Sequence, residues 1–157
     1  MRISHAPFLA GIPPRRALFL CTHNSARSQM AEGLLRDLGH GAWEAASAGS
    51  QATLVRPEAV AVLREIGIEI DGQFSKTLQR FLNETFDVVV TVCGQANDAC
   101  PVFPQAGRRL HWPIADPAQV RGDEETRLVA FRVARDELMA RIRAEIVPGT
   151  ASRARGG

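Results

Sequence analysis

The sequence contains no tyrosine and one lysine, Lys76, against eighteen arginines. That bias among the basic residues carries no functional reading of its own. Charge of one sign is not in excess either: nineteen basic residues face seventeen acidic ones, a formal charge of +2, and the two signs are interspersed. A nucleic-acid interface concentrates Lys and Arg in a stripe, which this pattern does not offer. No apolar run approaches the ~18 residues of a membrane span. The opening MRISHAPFLAGIPPRR has one short apolar piece, broken by Gly11, Pro13 and Pro14, and does not read as a signal peptide. Cysteine is scarce and odd in number, three in 157 residues. A secreted disulfide framework wants a denser, even set. In a reducing compartment such thiols are catalytic, metal-binding or simply buried, and the expected location is cytoplasmic. What remains, 45% hydrophobic and 23% charged residues without internal repeat or linker, is the composition of an ordinary globular chain. The length suits one domain.

That domain is expected over residues 16–147, between an irregular extension at 1–15 and a flexible tail at 148–157. Arg16–Cys21 is a short apolar run suited to a buried strand. Ala31, Leu34, Leu35 and Leu38 follow at helical spacing. Glu44–Ala48 is a weaker strand. Pro57 suits the first turn of a helix whose Ala59, Val60, Leu63 and Ile66 share a face. Leu78–Asn83 predicts a short helix, Asp87–Val92 a continuous β-branched strand, and Arg109–Pro113 another strand. Glu124–Ile146 predicts a long helix turning Leu128, Phe131, Leu138, Ile142 and Ile146 inward. Strands alternating with helices imply an α/β fold, a three-layer sandwich around a central parallel sheet.

The chemistry concentrates in Cys21-Thr22-His23-Asn24-Ser25-Ala26-Arg27-Ser28. A strand ends at Cys21 and a helix begins near Ser28. Ligands of open parallel sheets bind beyond the carboxyl ends of the strands. A loop entering a helix there turns successive N–H groups inward, with the helix dipole behind them, so Thr22, His23, Asn24, Ser25, Ala26 and Arg27 form an anion nest. A cysteine at its base is held as thiolate by the same donors. Arg27 offers a planar fork to a tetrahedral oxyanion. Ser25 and Ser28 read as helix caps; Ser28 reads equally as a donor to the Cys21 sulfur.

A second segment, HWPIADP, ends in Asp116-Pro117. Asp-Pro is a common turn former. Beside the nest it also supplies an acid for a departing oxygen. Cys93 and Cys100 form the third element. Cys93 follows the strongest strand, so it too lies at the carboxyl edge of the sheet. Six intervening residues do not match the close pairs of common zinc sites, and only His111 lies nearby, so no metal site is expected. Two readings stay open: structural thiols, or a redox relay in which one thiol attacks a sulfur adduct on Cys21 and the other resolves the disulfide.

The stretches CTHNSARSQMAEG, Ser47–Gly49, VVTVCGQANDACPVFP and HWPIADPA, within roughly residues 16–146, resemble the thioredoxin-coupled arsenate reductases, which share the fold of low-molecular-weight tyrosine phosphatases. The Cys-x5-Arg-Ser loop is common to both branches. The cysteine pair and the HW…DPA stretch favour the reductases; the phosphatases usually carry aromatics after their Asp-Pro, where this chain has Ala118. Ala26 stands where some relatives have an extra cysteine that the relay does not use.

The resemblance implies a reaction. Cys21 attacks the arsenic of arsenate, Asp116 protonates the leaving hydroxyl, and Cys93 then attacks Cys21, expelling arsenite. Cys100 attacks Cys93, and thioredoxin restores the pair. Phosphate and sulfate would compete as similar anions. No metal or organic cofactor is implied for the chemistry, since thiols supply the electrons. The alternatives are a phosphatase acting on phosphotyrosine or small phosphomonoesters, and a non-catalytic arsenical or anion sensor. Some relatives also bind potassium beside the loop, through residues matching Asn24, Glu32 and Ser47 and an acid; Lys76 stands near the acid's place.

Overall fold

A computed structural model describes residues 12–93 and 102–148. Cys100 lies outside them, as do most of the N-terminal extension and of the tail.

Four strands make one parallel sheet: β1 (Arg15–Cys21), β2 (Trp43–Gly49), β3 (Phe86–Thr91) and β4 (Ala106–His111), in the order β2-β1-β3-β4. Among the described residues three α-helices connect or follow them: α1 (Arg27–Leu38), α2 (Pro57–Arg64) and α3 (Glu124–Glu145). The central strands β1 and β3 are the two apolar runs of the sequence, as burial on both faces requires. Alternation along β1 divides the core. Ala17, Phe19 and Cys21 join Leu34 and Leu35 of α1, Val62 and Leu63 of α2, and Phe131, Leu138 and Ile142 of α3 in the larger cluster. Leu18 and Leu20 face the other way, against Phe81, Phe86 and Phe103. This thin aromatic layer completes the α/β sandwich on the side away from the helices. The Phe86 ring meets both Phe81 and Phe103 edge-on, at centroid distances of 5.8 and 5.6 Å, a favoured aromatic geometry.

Some boundaries differ from the sequence reading. The helix expected to carry Ile66 ends at Arg64. Gly67 turns the chain with φ of +82°, and Ile66 is 40% exposed rather than packed on the helical face. The helix expected at Leu78–Asn83 is a single 3-10 turn, Leu78–Phe81. The last strand starts at Ala106, three residues earlier than expected, because the edge strand is mostly exposed and shows no apolar alternation. Backbone contact fixes its course instead, and Gly107 lies so close to Asp87 that a Cβ would sit 2.9 Å from the Asp87 carbonyl. The long helix begins where expected, with Asp123 accepting from the Thr126 N–H at 2.9 Å as an N-cap.

Candidate active site

The loop between β1 and α1 stands at the carboxyl end of the central strand, with the end of β3 beside it. The register pairs Leu20 with Thr91, and the Val92 N–H donates to the Leu20 carbonyl at 2.9 Å. Adjacent parallel strands lie ~4.8 Å apart, so Cys21 and Cys93 emerge from neighbouring strands at nearly the same height. Cys21 is free and 3% exposed; Cys93 is buried and disulfide-bonded to a partner outside the described residues.

Hydrogen bonds to the loop's carbonyls show which way its peptides point. The Thr22 carbonyl accepts from Gln51 N–H (2.9 Å) and the Ser50 hydroxyl (3.2 Å). That of His23 accepts from Ser75 (3.1 Å) and Thr53 (3.4 Å), that of Asn24 from the Gln29 amide (3.2 Å), and that of Ser25 from Arg56 N–H (2.9 Å). Every peptide among the described residues is trans, so the N–H groups of His23, Asn24, Ser25 and Ala26 point away from these supports, into the space the loop encloses. An inward ring of donors at a helix N-terminus is an oxyanion receptor. Gly49 makes the packing possible: a Cβ there would lie 2.7 Å from Thr22 O and 2.9 Å from Asn24 N, both backbone atoms.

Ser28 is wholly buried, and its Oγ lies 2.8 Å from Cys21 Sγ. The helix has no side-chain cap, so neither Ser25 nor Ser28 caps it. The expectation that Ser28 both caps and meets the sulfur is corrected to the second role alone. The direction of that bond follows from a chain of partners that begins at Glu32. A carboxylate only accepts, so Ser47 donates to Glu32 Oε1 at 2.6 Å. Ser47 Oγ therefore accepts from Asn24 Nδ2 at 3.0 Å. Asn24 Oδ1 takes the Lys76 N–H and Gln29 Nε2, each at 2.9 Å, which fixes the amide's orientation. Its Nδ2 also donates to Ser28 Oγ at 2.8 Å. Ser28's own proton is left for the sulfur, so the hydroxyl donates to Cys21 Sγ. Asn24 sits at φ of +50°, a region asparagine enters more readily than most residues, and its side-chain bonds hold it there.

The Lys76 ammonium lies 3.7 Å from Glu32 Oε1 and donates to the Phe74 carbonyl at 2.9 Å. Burial holds it below the ordinary lysine pKa, with Glu32 opposing that shift. An ammonium thus stands beside Glu32, one of the residues that the resemblance matched to a potassium site, and with that cation in place these residues do not fit a bound metal ion. Glu32 is shared further with Arg36, at 2.6 Å.

Arg27 is 3% exposed and ties the loop to its surroundings. Its Nη1 donates to the carbonyls of Val92 (3.1 Å) and Ile114 (3.0 Å), and its Nη2 lies 3.4 Å from Asp116 Oδ2. Asp116 forms the turn its sequence suggested, and it stands beside Arg27. Oδ1 accepts from the Ala118 N–H at 3.0 Å, capping the 3-10 turn Pro117–Gln119, while Oδ2 faces Arg27. The sequence-read residues Cys21, Arg27, Ser28, Asp116 and Cys93 therefore converge at one edge of the sheet. Sequence reasoning missed the amides of buried Gln29 and half-buried Gln73, paired at 2.8 Å, and Ser75 under His23. Apart from the Gln29 bonds to Asn24, these contacts reach across 44 or more residues, so no periodic pattern marks them.

The comparisons agree with this geometry. The family model described as low molecular weight phosphotyrosine protein phosphatase matches residues 16–146. An arsenate reductase of Halalkalibacterium halodurans is 46% identical over 125 residues, covering 80% of this chain and 90% of that protein. An arsenate reductase solved in a phosphate-binding state superposes with a TM-score of 0.73 at 32% identity, over 85% of this chain and 98% of that one. A thioredoxin-dependent arsenate reductase of Corynebacterium glutamicum gives 0.66 at 29% identity, over 94% of this chain and 67% of that one. With the parallel sheet, the anion loop and the adjacent cysteines, these similarities show that the chain belongs to the low molecular weight phosphotyrosine protein phosphatase family, on the branch that holds the arsenate reductases.

Proposed function

We propose that this protein reduces arsenate to arsenite through its three cysteines, with thioredoxin as the electron donor. The observation that carries the proposal is the pairing of a free Cys21, at the base of an anion nest, with a disulfide-bonded Cys93 on the neighbouring strand. A phosphatase needs the first and has no use for the second.

Arsenate sits on the inward N–H groups of the 22–27 loop, with Arg27 at its side. The Cys21 thiolate, steadied by Ser28, attacks arsenic. The displaced hydroxyl leaves as water with a proton from Asp116, whose carboxyl the turn holds in place. Cys93 thiolate then attacks Cys21 Sγ. A sulfur–sulfur bond forms, and the sulfur–arsenic bond breaks with its electron pair staying on arsenic, which departs as arsenite. Cys100 attacks Cys93 Sγ, releasing the Cys21 thiolate, and two electrons from reduced thioredoxin open the Cys93–Cys100 bond.

The test is arsenate-dependent NADPH oxidation by the purified protein with thioredoxin and thioredoxin reductase. Turnover is expected, and is expected to vanish in Cys21→Ser, because a serine hydroxyl is a far poorer nucleophile at neutral pH. No arsenate-dependent oxidation, alongside efficient hydrolysis of p-nitrophenyl phosphate, would overturn the proposal in favour of a phosphatase.

A further inference from the structure

Beside the catalytic loop, a groove walled by His23, Ser25, Leu54 and Asp116 runs on to Arg56, Ala118 and Gln119. The same three residues wall a second cavity of about 470 Å³, closed by the 120–122 turn, Arg121 and Arg127. Three guanidinium groups and no carboxylate line this second space. Their partners are unequal. Arg127 is engaged, by Glu58 Oε2 at 3.2 Å and the Gly122 carbonyl at 2.7 Å. Arg56 is not: its buried Nε has no hydrogen-bond partner among the described residues, and its Nη2 makes only a long contact, 3.5 Å, to the Ala118 carbonyl. Arg121 is exposed and has no carboxylate partner among the described residues.

A buried guanidinium nitrogen without an acceptor is costly, and like charges around one cavity add to the cost. Both are relieved by an anion. Guanidinium forks suit phosphate and carboxylate oxygens. The position matters as much as the charge, because Arg56, Ala118 and Gln119 belong to both spaces, so a molecule held in the catalytic loop can extend over them without leaving the surface.

We propose that the Arg56–Arg121–Arg127 cavity is a second anion subsite, which takes the distal phosphate or carboxylate of a ligand whose first tetrahedral group occupies the catalytic loop. Molecules with two anionic groups on a short tether are its ligand class. The proposal rests on the loop being an oxyanion receptor, and it is independent of whether arsenate is reduced there.

The test is calorimetric titration of the full-length protein, at fixed ionic strength, with inorganic phosphate and with α,ω-alkane bisphosphates of three to eight methylenes. One tether length is expected to bind at least tenfold tighter than phosphate. Arg121→Ala is expected to remove most of that advantage while leaving phosphate affinity within twofold, and Arg56→Gln to remove most of it as well. Arg121 is exposed, so its variant keeps the test open if Arg56→Gln folds poorly. A bisphosphate advantage of twofold or less at every length overturns the subsite. So does a larger advantage that is uniform with length or survives Arg121→Ala, which would indicate general electrostatic attraction. Absence of phosphate binding to the native protein would remove the loop reading and this proposal together.

Discussion

Asp116 holds the turn that Asp-Pro suggests, and the proposed mechanism asks it to serve as an acid as well. Its turn-capping oxygen accepts from Ala118, and its other oxygen faces Arg27. Asp116→Asn keeps an acceptor for the cap but cannot deliver a proton. Single-turnover arsenate reduction is expected to fall by roughly 100- to 10,000-fold, with phosphate affinity retained; an unchanged rate in rapid-quench measurements would reduce Asp116 to a turn residue. Gly49 acts through what it lacks. In Gly49→Ala the methyl group meets the Thr22 and Asn24 backbone and displaces the donors of the loop. A misplacement of ~1 Å can cost about 100-fold, so both phosphate affinity and turnover are expected to drop at least tenfold while circular dichroism stays native. Lys76 puts a covalent cation beside Glu32. Replacing potassium by sodium at constant ionic strength is therefore expected to leave turnover unchanged, and Lys76→Met to lower it; potassium activation of the native protein would contradict this assignment.

Helix α1 (Arg27–Leu38) carries the site and also packs the core, and Gly33 shows the tension between the two. A glycine inside a helix costs about 0.5–1 kcal/mol relative to alanine, so propensity alone favours Gly33→Ala. Packing opposes it, because the new Cβ would lie 2.5 Å from Ile70 Cγ2 and 3.2 Å from Leu63 Cδ1. Ile70 is β-branched and stiff. Overpacking of this kind costs about 1–3 kcal/mol, so a net loss of stability is expected. Chemical denaturation is the measurement, and a gain would show that Ile70 yields freely. The element pattern was largely legible because apolar runs and helical periodicity survive in β1, β3 and α3. Edge strand β4 was read three residues late for the opposite reason, since exposure removes the alternation that marks a strand. The helix expected to carry Ile66 was read too long because periodicity continues past the point where Gly67 turns the backbone.

For the molecule as a whole, the proposed cysteine relay asks one thiol to meet two partners in turn. The sheet register brings Cys93 beside Cys21, while Cys93 is bonded elsewhere. Disulfide geometry needs Cα atoms within about 7 Å, so the proposed relay asks Cys93 to come within that distance of each partner in turn. Cys100→Ser is expected to complete one turnover and stop with a Cys21–Cys93 bond. Non-reducing peptide mapping after one equivalent of arsenate reads this directly, and finding arsenite released without that bond would reverse the proposed order.

The sequence by itself determined the α/β class, the loop from Cys21 to Ser28, and the prominence of Asp116 and Cys93. These are local signals: a strand, a turn and a helix start, written in consecutive residues. Ser28 remained divided between cap and sulfur partner, because a hydroxyl's bond depends on what lies opposite it. Only the tertiary structure decided that question, through Glu32, Ser47 and Asn24, whose bonds orient the Ser28 proton. The supports under the loop, from Gln51, Thr53, Arg56 and Ser75, were equally invisible along the chain. They lie 28 or more residues from their partners, and long-range hydrogen bonds leave no periodicity in a sequence.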